Sequence, residues 1–286
     1  MYVQIIADSC NKYGTRLTTI EAEYPLYIHA QVMTHRVFSR NAQSSRAVPT
    51  AKLLELLNEN KDTIDFAKNQ AGMEAGEQLN DKEMVDARRT WKDAKTTAIV
   101  TAKALNKIGV HKQWVNRLLM PFMNIKVIIT ATEWENFFKL RLEHDAQPEI
   151  QELARMIKRA MDERTPKMLE AGEWHLPYIG DADLSSEYVN ADVLRAISAA
   201  RCSRVSYLNH DKSNPDIDKD LSQADNLWVS GHFSPFEHQA TPVSQEHDTN
   251  SKWEKGVTHM TKNSKLWSAN FKGFVQSRVL GFNDVV

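Results

Sequence analysis

"IKVIITAT", residues 125–132, decides the fold class. Nearly all of it is β-branched, and branched side chains fit a pleated strand better than a helix. Two other stretches read the same way. "VQIIADS" (3–9) is rich in Val and Ile, and "RLTTIEAEY" (16–24) alternates loosely, with turn residues Asn11 to Gly14 between them. Helical patterns surround these strands, at 50–60, at 83–108 up to Gly109, and at 111–120 up to Pro121. Further helices are expected at 133–145, 148–171, 190–204 and 216–231. Strands interleaved with helices give a chain of mixed α and β structure.

Pro25 suits a first helical turn, and Leu26, Ile28, Ala30, Val32, Met33 and Val37 favour a helix running on from it. Residues 61–82 are polar and aperiodic, as in an exposed loop. The stretch 166–187 breaks the helical pattern with Pro, Gly and Asp. It is expected to link a part at 1–165 to a part at 188–286, both within one domain. Residues 239–266 show little periodicity.

The chain has 286 residues, 26% charged and 42% apolar, with net charge −1. That balance excludes bulk nucleic-acid binding through overall charge. Two cysteines, Cys10 and Cys202, make neither a zinc nor a disulfide framework, and a reducing cytoplasm is expected. "MYVQIIADSC" lacks the basic start and apolar run of a signal peptide, and no stretch is apolar enough to span a membrane.

Against that neutral background, "THRVFSRNAQSSR" (34–46) packs cations and hydroxyls with no acid. If the preceding helix continues, His35 and Ser39 share a face, as do Arg36 and Arg40, while Ser44, Ser45 and Arg46 lie beyond its end. Hydroxyls, backbone N–H groups and guanidinium forks suit a phosphate, although a solvated basic helix end has the same composition. In "NFFKLRLEHDAQPEI" (136–150), Asn136 and Arg141 lie on adjacent faces, and Pro148 starts a long helix. In "GHFSPFEH" (231–238), Ser234 as N-cap and Glu237 three residues on read as a capping box. His232 and His238 flank that glutamate, but no third ligand has suitable spacing and no metal is expected.

These segments together resemble the flavin-dependent thymidylate synthases. The family's Arg-His-Arg, seven residues, Ser signature is similar to Thr34-His35-Arg36 followed by Ser44, with Gln31 upstream. "RLLMP" (117–121), "NFFKLRLEHDAQPEI", "AARCSRVSY" (199–207) and "GHFSPFEH" resemble further family elements. The motif order differs, because the Ser-Pro-Phe-Glu-His element normally precedes the Arg-His-Arg element. A circular permutation explains this. "NFKGFVQSR" (270–278) loosely echoes "AQVMTHR" (30–36), and is expected to replace a strand-helix feature lost at the cut or to add a cation through Arg278.

The resemblance implies reductive methylation of dUMP at C5, with methylenetetrahydrofolate as carbon donor, FAD as cofactor and NADPH as co-substrate. It implies that His35, Arg36, Asn136, His232 and Ser234 hold the flavin. It places Gln31, Ser44, Ser45, Arg46, Arg117 and Arg141 on dUMP, with Arg141 stabilising charge on the uracil ring. It implies an α+β fold, a mixed sheet with surrounding helices in circularly permuted order, and a homotetramer with shared active sites in the cytoplasm, the host's if the source is a phage. The chain departs from the family at Thr34, where an arginine is usual, and at Ala42 and Ala47. Two other readings follow the same residues: a flavin-dependent deoxyuridylate hydroxymethylase, and a non-catalytic nucleotide-binding protein.

Overall fold

A computed structural model describes residues 1–59, 64–72, 74–185, 190–206, 216–243, 259–260, 266–267 and 269–282. In chain order, strands β1 (Tyr2–Asn11) and β2 (Arg16–Pro25) lead to helix α1 (His29–Met33) and strand β3 (Ser39–Ala42). Helices α2 (Thr50–Glu59), α3 (Asp81–Lys107) and α4 (Lys112–Val115) precede strand β4 (Asn124–Ala131). Then come helices α5 (Glu135–Arg141) and α6 (Pro148–Asp162), and strand β5 (Lys167–Leu169). The rest comprises helices α7 (Asp181–Leu184), α8 (Ala191–Ser203) and α9 (Ile217–Val229), and strands β6 (Ala240–Pro242), β7 (His259–Met260) and β8 (Leu266–Trp267). Strand β9 (Phe274–Gln276) and helix α10 (Ser277–Phe282) follow.

The five-stranded sheet runs β3-β4-β2-β1-β5. All its pairs are antiparallel except β1 with β5, so the sheet is mixed, as expected. The β1–β2 turn is fixed by the Asn11 side chain, which accepts from the backbone N–H of Tyr13 and of Thr15, both at 3.0 Å. Strand alternation then sorts the faces. Ile20, Ala22, Val127 and Ile129 form one core with Phe137, Ile150, Leu153 and Ile157 of α5 and α6. Each large side chain buried there contributes about 1.5–3 kcal/mol.

The opposite face of the same strands carries Thr19 and Thr130, both fully buried, and it is bridged by polar groups. Ser9 Oγ meets His175 Nδ1 at 2.9 Å, and His175 Nε2 meets Thr19 Oγ1 at 2.8 Å. Thr19 Oγ1 lies 2.7 Å from Thr130 Oγ1, and Thr130 Oγ1 lies 2.7 Å from His238 Nδ1. Burial holds both histidines neutral, at about 3, His175 also being disfavoured as a cation by His238. Within the stretch 166–187, expected as a linker, residues 167–169 add β5 to the sheet, and His175 is buried, its backbone pairing with that of Ala240.

Three expectations are corrected. No long helix runs from Pro25 into the basic stretch: Pro25 ends β2, a 3₁₀ turn covers Leu26–Ile28, and α1 stops at Met33. Residues 39–42 instead pair with 127–130 of β4, a long-range contact that overrides local helix preference. The helix expected to reach 171 ends at Asp162, since Pro166 removes a donor and pushes Thr165 away from helical geometry. Ser234 opens a 3₁₀ turn without capping it, and Glu237 is ion-paired with Arg278.

The echo at 270–278 contains β9 and the first turn of α10. Phe271 and Phe274 bury fully against Leu17 and Ala240. Gly273 has φ 64°, and a Cβ there would sit 2.6 Å from Asn11 Nδ2, so the close approach requires glycine.

Candidate functional site

The basic stretch divides into two differently held halves. In the first, His35 is buried, with Phe38 stacked on its ring at 5.6 Å and Phe137 edge-on at 5.0 Å. Arg141, at the C-terminal end of α5, reaches across to it. Arg141 Nε donates to His35 Nε2 at 3.1 Å, and Nη2 donates to Gln31 O at 3.2 Å and Thr34 Oγ1 at 3.1 Å. A guanidinium has no acceptor, so His35 Nε2 must carry a lone pair and its proton sits on Nδ1. Burial, then the Arg141 and Arg40 cations, pull the His35 pKa down to about 4. The imidazole is thus neutral at physiological pH.

Thr34, where the family usually has arginine, also donates to Gln31 O at 2.7 Å. Its hydroxyl joins the α1 terminus to Arg141. The Gln31 side chain donates to Gln147 Oε1 at 2.6 Å. Arg40 Nη1 donates to Met33 O at 3.0 Å, closing the turn from inside.

The second half is a loop after β3, held through its backbone. Asn116, fully buried, donates from Nδ2 to Ser45 O at 2.7 Å and Val48 O at 3.0 Å. Its Oδ1 accepts from Thr50 Oγ1 at 2.8 Å. Lys112 Nζ donates to Ala47 O at 3.0 Å. Ser44, Ser45, Arg46 and Arg117 line one cavity of about 1100 Å³, together with Lys52 and Lys126. Apolar side chains of α2 and the 3₁₀ turn at 116–122, among them Leu53 and Met120, line it too, as do Glu23 and Glu59. Four cations and two hydroxyls against two carboxylates, beside apolar side chains, suit an anionic ligand with a planar ring.

The expected residues thus fall into three sets. Ser44, Ser45, Arg46 and Arg117 share the cavity. Gln31, His35 and Arg141 are joined by hydrogen bonds to one another and do not line that cavity. Arg36, Asn136, His232 and Ser234 are exposed and belong to neither set of contacts. The His232 ring bonds the Ser230 hydroxyl at 2.9 Å, and His238 lies in the polar bridge of the sheet. Among the described residues no His, Cys, Asp and Glu cluster could hold a metal, and no helix is long and apolar enough to cross a membrane. Asn116 was missed by sequence reasoning, although it directly precedes Arg117. Lys52 and Lys126 carry no local signal.

Residues 17–167 match the family model Thy1, described as thymidylate synthase complementing protein. A solved structure with some likeness is the UMP/dUMP methylase PolB from Streptomyces cacaoi bound with 5-Br UMP. It is 15% identical, with a TM-score of 0.47, over 58% of this chain and 89% of that one. No curated protein matches the chain.

Proposed function

The chain belongs to the Thy1 family, the flavin-dependent thymidylate synthases, and we propose that it converts dUMP to dTMP by reductive methylation at C5. The observation that supports this most is the convergence of Ser44, Ser45 and Arg46 with Arg117 on one cavity. In this reading the loop and Arg117 take the phosphate through charge-assisted hydrogen bonds. The uracil lies toward Arg141, whose guanidinium favours negative charge developing on the ring. Methylenetetrahydrofolate supplies the carbon, and reduced FAD supplies hydride when bound, with NADPH as reductant.

The residues assigned to flavin fit less well within one protomer. Arg36, Asn136, His232 and Ser234 stand exposed and do not line the cavity that Ser44 and Arg117 share. We read this as a flavin site completed by a second copy of the chain, in a cytoplasmic homotetramer, and route no step through it. The motif order fits a circular permutation of one domain, since "GHFSPFEH" docks on β4 through His238 despite its late position.

The deciding experiment combines a flavin absorbance titration with dUMP and the mass of the turnover product. A flavin band that shifts with dUMP, and a product heavier by a methyl group, support the reading. A hydroxymethyl product assigns the chain instead as a deoxyuridylate hydroxymethylase. A colourless protein that binds dUMP without turnover makes it a non-catalytic binding module.

A further inference from the structure

Helix α3 has 27 residues and is about 40 Å long at 1.5 Å per residue. Its inner side packs on the core through Ala98, Ile99, Ala102 and Leu105. The opposite side is exposed along its length. No residue of α3 lines the cavity of Ser44 and Arg117.

Three residues on that outer side lie seven apart: Asp93, Val100 and Lys107, all exposed. Seven residues bring a straight helix back to within about 20°, so the three form a line along the axis. Asp93 and Lys107 stand about 10.5 Å from Val100, on opposite sides of it. Val100 is 61% exposed, where a polar side chain would suit a solvated helix face better. Among the described residues, neither Asp93 nor Lys107 is ion-paired within the chain, whereas Arg89 and Asp86 nearby pair with each other. The surface beside Val100 is shallow. The Thr97 hydroxyl is spent on Asp93 O at 2.9 Å, inside its own helix, and Ala104 carries only a methyl group.

This line is complementary to itself. A two-fold axis through Val100, perpendicular to the helix, lays a second copy antiparallel and sets Val100 on Val100. It brings each Asp93 level with the Lys107 of the other copy. Two opposite-charge pairs then flank an apolar centre, where Thr97 and Ala104 are small enough for close helix approach. A parallel pairing in register would oppose Asp93 to Asp93 and Lys107 to Lys107, so the charges select the antiparallel arrangement.

We propose that α3 is a self-association surface, and that its partner is α3 of a second copy of this chain, antiparallel about Val100. This contact is distinct from the one that would complete a flavin site, since Arg36, Asn136, His232 and Ser234 lie outside α3.

The test uses the full-length chain. The unaltered protein, with half-buried Cys10 and buried Cys202, gives the baseline for disulfide linkage. Val100→Cys under mild oxidation is expected to add a disulfide-linked dimer on a non-reducing gel, because a cysteine on the axis meets its own copy. Val85→Cys, exposed but about 22 Å along the helix from that axis, is expected to add none. In sedimentation at graded concentrations, Asp93→Lys is expected to weaken self-association about tenfold, and Asp93→Lys with Lys107→Asp to restore it. The proposal is overturned by an unaltered chain that stays monomeric, by linkage that is absent at Val100→Cys or equal at Val85→Cys, by indifference to Asp93→Lys, or by failure of the double variant to recover. dUMP turnover enters none of these readouts, so the methylation reading stands or falls separately.

Discussion

The two halves of "THRVFSRNAQSSR" share a composition but are held in opposite ways. In the first half the side chains are consumed by the fold: His35 by Arg141, Arg40 by backbone carbonyls. In the second half the backbone is consumed, by Asn116 and Lys112, and the side chains line a cavity. The contrast teaches that basic residues in one run need not share a task. Side chains tied to neighbours orient a reactive group. Those on a loop pinned through its carbonyls are presented to a ligand.

The largest effect should come from breaking the first half at Arg141, which holds it. Arg141→Ala is expected to retain flavin and to lose dUMP turnover by about 10²–10³-fold, measured by product formation and flavin absorbance. Unchanged turnover would remove Arg141 from the chemistry.

Breaking the support of the second half should act on binding and stability together. Asn116→Ala strands Ser45 O, Val48 O and the Thr50 hydroxyl. It should cost about 3 kcal/mol in urea denaturation and weaken dUMP binding about tenfold. A full loss of stability with unchanged dUMP affinity would show that the loop does not need its anchor to bind.

The smallest effect concerns pH and sharpens the account of His35. Its folded pKa of about 4 lies below the ordinary 6.5, so between these values the unfolded chain binds the extra proton. His35 therefore contributes stability that is complete above about 6.5 and is lost as pH falls toward about 4. His175 and His238 act with the same sign, their share being lost from about 6.5 down toward about 3. The difference in pH dependence between the unaltered chain and a His35→Gln variant isolates the His35 share. No difference across this window would place His35 in solvent.

Much of the sheet could be read from the sequence because β1, β2 and β4 carry their own β-branched signal. The strand at 39–42 could not, since "SRNA" has no such signal and exists by pairing with residues 127–130. Arg141 stood out through the family motif, but its hold on Thr34 depends on how α5 packs beside α1, which local patterns do not encode. The same holds for Lys52 and Lys126, brought to the cavity by tertiary packing. Arg36, Asn136, His232 and Ser234 were chosen by motif alone, and one protomer does not gather them.

The tail gives the site a timetable. Ser39, the first residue of the strand that leads into the ligand loop, accepts from Asn270 Nδ2 at 3.0 Å and from Gln276 Nε2 at 2.9 Å. Asn270 lies 231 positions further along the chain. At ribosomal speeds of about 5–20 residues per second, Ser39 waits roughly 10–50 s for those amides to be made. Strand β3 can pair with β4 long before then, but it gains these two hydrogen bonds only after residues 270 and 276 have been made.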